Sequence, residues 1–228
     1  MSRRKRERKR LEEGGVDSEV FDNAVATFIF EILTRQVQPA DNLCNVDHYA
    51  VRDAYTLSYM FPQSRFVMVV RDGRAVAHSK MPVNHTSTEF NSTLYEEHLQ
   101  AWEDQTRDML TGCLAVGRLY CLAVYYEHLF LHPIHALQRI LTFLNIPFPR
   151  HYDERGFLFY DKMEEILVRG NNPKFQKQLT TWVQCAPKLA FKEGNATHLL
   201  STFGYLQLGN PPDYQNLNQR AILSEMLY

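Results

Sequence analysis

Apolar residues along this chain fall into two kinds of run. Phe66–Val70 (FVMVV) contains no polar residue and is β-branched enough to predict a strand buried on both faces. Residues 120–126 (YCLAVYY) predict a second such strand, and residues 42–47 (NLCNVD) a short strand or the end of one. Helical spacing marks the rest. Val20, Ala24, Phe28 and Ile32 share one stripe of residues 20–33 and predict a buried amphipathic helix. Residues 50–60 predict a helix stopped by Pro62, and Leu99, Trp102, Met109 and Leu110 lie within a long helix from about Leu94 to Val116. His132-Pro133 opens another that runs to Pro147, with proline in the first turn, where its missing N–H costs nothing. After Pro149 the pattern is irregular until a short helix at 196–203. There is no internal repeat. Strands alternating with helices imply an α/β domain with a central parallel sheet flanked by helices.

At 228 residues, 45% of them hydrophobic and 26 of them Phe or Tyr, the chain is sized for one well-buried domain. Its net charge of −1 is unevenly spread. Residues 3–10 (RRKRERKR) carry seven basic side chains and one acid, which leaves 18 basic against 25 acidic residues and a body at −7. An acidic body argues against nucleic-acid binding. The arm reads as a solvated helix start, a tail or a linker, with nuclear targeting or polyanion binding as the sharper alternatives. No stretch approaches the ~18 apolar residues of a transmembrane helix, and the N-terminus lacks a signal peptide's apolar region, which by itself points to the cytosol. Three glycosylation sequons, at Asn84, Asn91 and Asn195, point mildly toward the secretory route. The four cysteines at 44, 113, 121 and 185 lack the close pairs of a zinc site.

Candidate chemistry gathers behind the first strand. Ligands of open parallel sheets bind beyond the carboxyl ends of the strands. Arg71 stands there, Gly73 allows a tight turn into the next helix, and Ser79 adds a hydroxyl; a guanidinium in that place suits a phosphate. The plain alternative is an Arg71–Asp72 salt bridge with Ser79 incidental. The second strand ends in Tyr125-Tyr126-Glu127, so a phenol can emerge at the same sheet edge or simply close the core. His128, His132 and His135 cross a strand-to-helix junction with no carboxylate or cysteine to complete a metal site; capping by His132 and surface exposure of the others is the better reading.

Three segments, FPQSRFVMVVRDGRAVAHS, CLAVGRLYCLAVYYEHLFLHPIHALQRILTFLNIP and GNPPDY, resemble the tyrosylprotein sulfotransferases over roughly residues 11–214. The resemblance implies a sulfotransferase-type, P-loop-like fold and transfer of a sulfuryl group from 3′-phosphoadenosine 5′-phosphosulfate (PAPS) to protein tyrosines in the Golgi lumen, with no metal. It also implies acidic tyrosine-containing protein substrates and admits a homodimer. Arg71 and Ser79 match the pair that grips the cofactor's 3′-phosphate, and Tyr126 matches a tyrosine at the nucleotide. The later nucleotide-covering loop aligns only with a gap before Trp182; Arg169 or Lys174 can replace its lysine there, with solvated loop charges as the plain reading. Cys113 and Cys121 match a family disulfide, which requires an oxidising compartment. Cys44 matches a second disulfide-forming cysteine whose partner lies upstream of this sequence, and Cys185 has no counterpart.

The same resemblance marks departures. It begins after the loop that holds the 5′-phosphosulfate and after the glutamate expected to take the phenol's proton, a proton with a pKa near 10. Asn45-Val46-Asp47-His48 stands where the family has a lysine before the aspartate, and valine cannot stabilise charge on the sulfuryl group. A family arginine soon after the Ser79 position is also absent, with Val83 near its place. The expected organisation is a basic arm (1–10), a partial sulfotransferase domain without its first strand (11–214) and a tail (215–228). Two readings follow: a PAPS-dependent tyrosine sulfotransferase, or an inactive relative or fragment serving as a nucleotide-binding or dimerising module.

Overall fold

The computed structural model describes residues 3–35, 38, 40–47, 49–82, 90–147, 177, 179–185 and 198–217. Helices α1 (Arg3–Glu13), α2 (Ser18–Arg35) and α3 (Ala54–Met60) precede strand β1 (Phe66–Val70), which leads into α4 (Gly73–Ser79) and the long α5 (Ser92–Val116). Strand β2 (Cys121–Tyr125) follows, running into α6 (Tyr126–Leu131) and α7 (Pro133–Leu144). Two short helices, Trp182–Cys185 and His198–Thr202, and two 3-10 turns, Tyr205–Leu208 and Tyr214–Asn216, complete the described elements. β1 and β2 pair in parallel, with Phe66 opposite Cys121 and Val70 opposite Tyr125. That register sends Arg71 and Tyr126 out of the sheet side by side.

The sheet's inner face carries Phe66, Met68 and Val70 beside Cys121, Ala123 and Tyr125, all in one core with Leu99 and Trp102 of α5 and Phe203 and Tyr205 of the C-terminal region. Both strand predictions hold, but burial on both faces of β1 does not, because Val69 is 45% exposed. An unbroken apolar run shows what a strand can bury, not which of its faces is covered. Cys113, at the end of α5, and Cys121, at the start of β2, form a disulfide with Cα atoms 5.3 Å apart.

Other predictions need correction. α2 is a helix, yet Val20, Ala24, Phe28 and Ile32 are all exposed, and Ala26 is its one buried residue. Apolar residues are spread around the helix among polar ones, so spacing alone cannot choose the stripe; Val25, Ala26, Ile29 and Leu33 are the side turned inward. Residues 42–47 form no strand and are exposed, Cys44 among them. The arm's residues 3–10 belong to α1, continuous with Leu11–Glu13, so the helical reading applies to it. No described helix is long and apolar enough to cross a membrane.

Two glycines fix how closely elements meet. A Cβ on Gly73 would lie 2.4 Å from the Trp102 ring of α5, and one on Gly112 only 2.1 Å from the Val51 carbonyl oxygen. Gly73 is thus required by the close approach of α5 rather than by a tight turn.

Candidate functional site

The turn after β1 is organised by Asp72, whose side chain is fully buried. Its Oδ1 accepts from the Arg74 backbone N–H at 2.9 Å, capping α4, and from Arg74 Nε at 3.0 Å. Its Oδ2 accepts from Arg74 Nη2 at 2.8 Å and from the Tyr214 hydroxyl at 2.9 Å. The Arg74 guanidinium also donates to the Tyr205 carbonyl at 3.0 Å and lies over the Trp182 ring, 5.3 Å from its centroid. Burial works against the Arg74 charge, but hydrogen bonds to Asp72 and the charge of Asp72 outweigh it and hold the guanidinium above its usual pKa. The ion pair imagined for Arg71 therefore belongs to Arg74.

Arg71 is left with other company. Its guanidinium lies 4.7 Å from the centroid of the Tyr126 ring, and among the described residues it makes no ion pair. Both side chains are half-buried. A guanidinium braced on a ring face keeps its edge donors available in the ring plane's neighbourhood while losing little freedom on binding an anion. Ser79 closes α4, exposed, its hydroxyl donating to the Val76 carbonyl at 2.7 Å.

Behind this pair lies a buried polar cluster that the sequence reading missed. Glu127, 1% exposed, accepts from the Asp72 N–H at 2.9 Å and from the Tyr205 hydroxyl at 3.0 Å. Burial pushes its carboxyl up to about 7, with the Asp72 N–H working in the opposite direction. Burial first, then the charge of Asp72, raises the Tyr214 hydroxyl far above the ordinary phenol range, and burial with Glu127 does the same to Tyr205 and Tyr125. Tyr125 is core, its hydroxyl donating to the Phe203 carbonyl at 3.3 Å. A glutamate within an apolar stretch directly after a strand was the signal available in the sequence.

His128 corrects the surface reading, which holds for His135. His128 is buried, its Nδ1 without a hydrogen-bond partner among the described residues, and burial followed by neighbouring His132 pushes it down to about 4. His132 occupies the N-cap position of α7 but its side chain makes no capping bond, and it and His135 are exposed. Among the described residues no three His, Cys, Asp or Glu side chains gather as a metal site. Asn91 is exposed and caps α5, its Oδ1 accepting from the Leu94 N–H at 3.0 Å, which leaves the amide nitrogen uninvolved in that bond. Val46 is 95% exposed. Asn84, Asn195, Arg169 and Lys174 lie outside the described residues, as does the side chain of Cys185.

Arg71, which makes no ion pair among the described residues, and the Tyr126 ring thus stand at adjacent carboxyl ends of the parallel sheet. The sequence pattern of the Sulfotransferase family matches residues 2–150. The chain belongs to the sulfotransferase family. It is 34% identical over 217 residues to chicken (Gallus gallus) protein-tyrosine sulfotransferase 2, covering 92% of this chain and 58% of that one. To human protein-tyrosine sulfotransferase 1 it is 34% identical over 229 residues, covering 97% of this chain and 62% of the relative. A putative protein-tyrosine sulfotransferase of Caenorhabditis briggsae is 31% identical over 207 residues, 88% of this chain and 73% of the relative. The chain thus spans about three fifths of the length of the first two relatives.

Proposed function

We propose that this chain forms the 3′-phosphate-binding part of a protein-tyrosine sulfotransferase that uses PAPS. The observation that carries the proposal is the pairing of Arg71 with Tyr126. Arg74 takes the neighbouring carboxylate, so the Arg71 charge is available to a ligand at the strand ends. When bound, PAPS supplies an activated sulfuryl group. Within this chain Arg71 binds the 3′-phosphate, Tyr126 limits the sweep of the guanidinium and flanks the nucleotide, and Ser79 adds a hydroxyl donor once it leaves the Val76 carbonyl. Arg169 is assigned to the nucleotide by the same reading. The acceptor class is tyrosine in an acidic protein segment, in keeping with the named activity of the relatives.

The Cys113–Cys121 disulfide supports an oxidising compartment, and the Golgi lumen is the one proposed; Asn84, Asn91 and Asn195 are the proposed glycan sites. One observation favours a second reading, a nucleotide-binding or dimerising relative without transfer activity. Val46, at the position assigned to lysine, offers no donor for charge on the sulfuryl group.

Calorimetric titration of the full chain with 3′-phosphoadenosine 5′-phosphate (PAP) tests the proposal. Binding should be lost by about a hundredfold in Arg71→Ala, as expected for removal of a charge-assisted phosphate contact. Equal binding by the variant would remove Arg71 from the site.

A further inference from the structure

We propose that Glu127 is the positioning residue of this seat: by joining the turn that carries Arg71 to the turn that carries Tyr126, it sets the guanidinium against the ring. What the seat holds rests on the nucleotide reading above; the positioning itself does not.

The geometry is specific. Arg71 immediately precedes Asp72, and Tyr126 immediately precedes Glu127. The bond from the Asp72 N–H to Glu127 Oε1, 2.9 Å long, therefore closes a small loop of chain across the two strand ends, one residue behind the Arg71–Tyr126 stack. Strand pairing ends at Val70 and Tyr125, so this is the first cross-link beyond the sheet. The second carboxylate oxygen accepts from the Tyr205 hydroxyl at 3.0 Å, with the Val70 carbonyl 3.5 Å from the same hydroxyl. Tyr205 is fully buried in the 3-10 turn Tyr205–Leu208, so the seat is tied to a part of the chain some 130 residues away, the separation of Val70 and Tyr205 being 135.

Glu127 is too deeply buried to meet a ligand, and a buried carboxylate needs a reason to be there. Both of its oxygens are spent on fixing backbone and side chain at the strand ends. Its surroundings make it sensitive to proton uptake. Asp72, itself paired with Arg74, faces it from the turn after β1, Tyr125 from β2, Tyr205 and Tyr214 from the two 3-10 turns, and His128 follows it on α6. Once protonated, one carboxyl oxygen carries a hydrogen that needs an acceptor and is itself a weaker acceptor, so the bond it receives lengthens or reorients. The Arg71–Tyr126 stack then shifts with it.

The test has two readouts on the full chain. The first is the nuclear magnetic resonance signal of the Arg71 side chain, which the ring current of Tyr126 displaces; Tyr126→Ala supplies the reference without a ring. In Glu127→Gln, and to a smaller degree in Tyr205→Phe, the Arg71 signal should move toward that reference. In the unmodified chain it should titrate near neutral pH, a response that Glu127→Gln removes. The second readout is PAP affinity, expected to weaken about tenfold in Glu127→Gln, the scale of one well-placed hydrogen bond. A folded Glu127→Gln chain whose Arg71 signal and its pH response match the unmodified protein would overturn the proposal. An Arg71 signal that responds as described in a chain that does not bind PAP would uphold the positioning role and remove the nucleotide reading instead.

Discussion

Arg74 grips Asp72 through two parallel bonds of 3.0 and 2.8 Å, and both side chains are withdrawn from water. Three residues before Arg74, Arg71 stands at the same turn and makes no ion pair among the described residues. Two arginines of identical chemistry in one turn thus differ in their partners: Arg74 is paired with a buried carboxylate, and Arg71 lies against the Tyr126 ring.

That division has a measurable consequence for stability. Removing one member of a buried, hydrogen-bonded ion pair leaves its partner's charge stranded and costs about 3–5 kcal/mol. Arg74→Ala should therefore lower the urea midpoint sharply, while Arg71→Ala should change stability by about 1 kcal/mol or less. Similar losses for the two variants would mean that Arg71 is part of the structural network.

The pH dependence of stability contains two opposing contributions. Folded Glu127 keeps its proton up to about 7, whereas the free side chain loses it at 4.5, so its contribution is full below 4.5 and lost as pH rises through 7. Folded His128 stays neutral down to about 4 against a free value of 6.5, so its contribution is present above 6.5 and lost as pH falls toward 4. Between 4.5 and 6.5 the two slopes, each about 1.4 kcal/mol per pH unit, nearly cancel. Urea titrations across this window should show Glu127→Gln growing more stable as pH rises and His128→Asn growing less stable. Matching slopes in both variants would contradict the assignment.

Gly73 and Gly112 separate two kinds of close approach. Alanine at Gly73 meets the Trp102 ring, which can shift; alanine at Gly112 meets the Val51 and Arg52 backbone, which cannot do so cheaply. Overpacking costs about 1–3 kcal/mol. Gly73→Ala should fall in that range by urea denaturation and Gly112→Ala at its upper end or beyond. In combination with Trp102→Leu, Gly73→Ala should cost less than it does alone.

The disulfide closes a loop with a sequence separation of only eight. In the chain-entropy account such a short loop contributes about 2–3 kcal/mol, so Cys113→Ser with Cys121→Ser should lower stability by that amount. Thiol reductant should shift the midpoint of the unmodified chain and not that of the double variant.

Much of the frame was legible before any coordinates. Phe66–Val70 and residues 120–126 announced themselves as strands because nothing in them suits water, and Pro133 marked the start of α7. The place of Arg71 at a strand's end was legible. The residue's lack of an ion pair among the described residues was not, because that depends on Asp72 turning to Arg74 and on Tyr214, 142 residues away, completing the carboxylate's bonds. Glu127 and His128 were hidden for the same reason: they meet Tyr205 and Leu217, which local periodicity cannot connect to them. α2 failed in its facing rather than its form, since a helix with apolar residues spread around it among polar ones gives no preferred side.

Arg71 against Tyr126 is proposed as the seat for a nucleotide's 3′-phosphate. The most direct measurement compares the affinity of the full chain for PAP with that for adenosine 5′-phosphate, which lacks only that phosphate. PAP should bind at least about thirtyfold more tightly, in line with one charge-assisted phosphate contact, and the advantage should vanish in Arg71→Ala. Equal affinity for the two nucleotides would contradict the account.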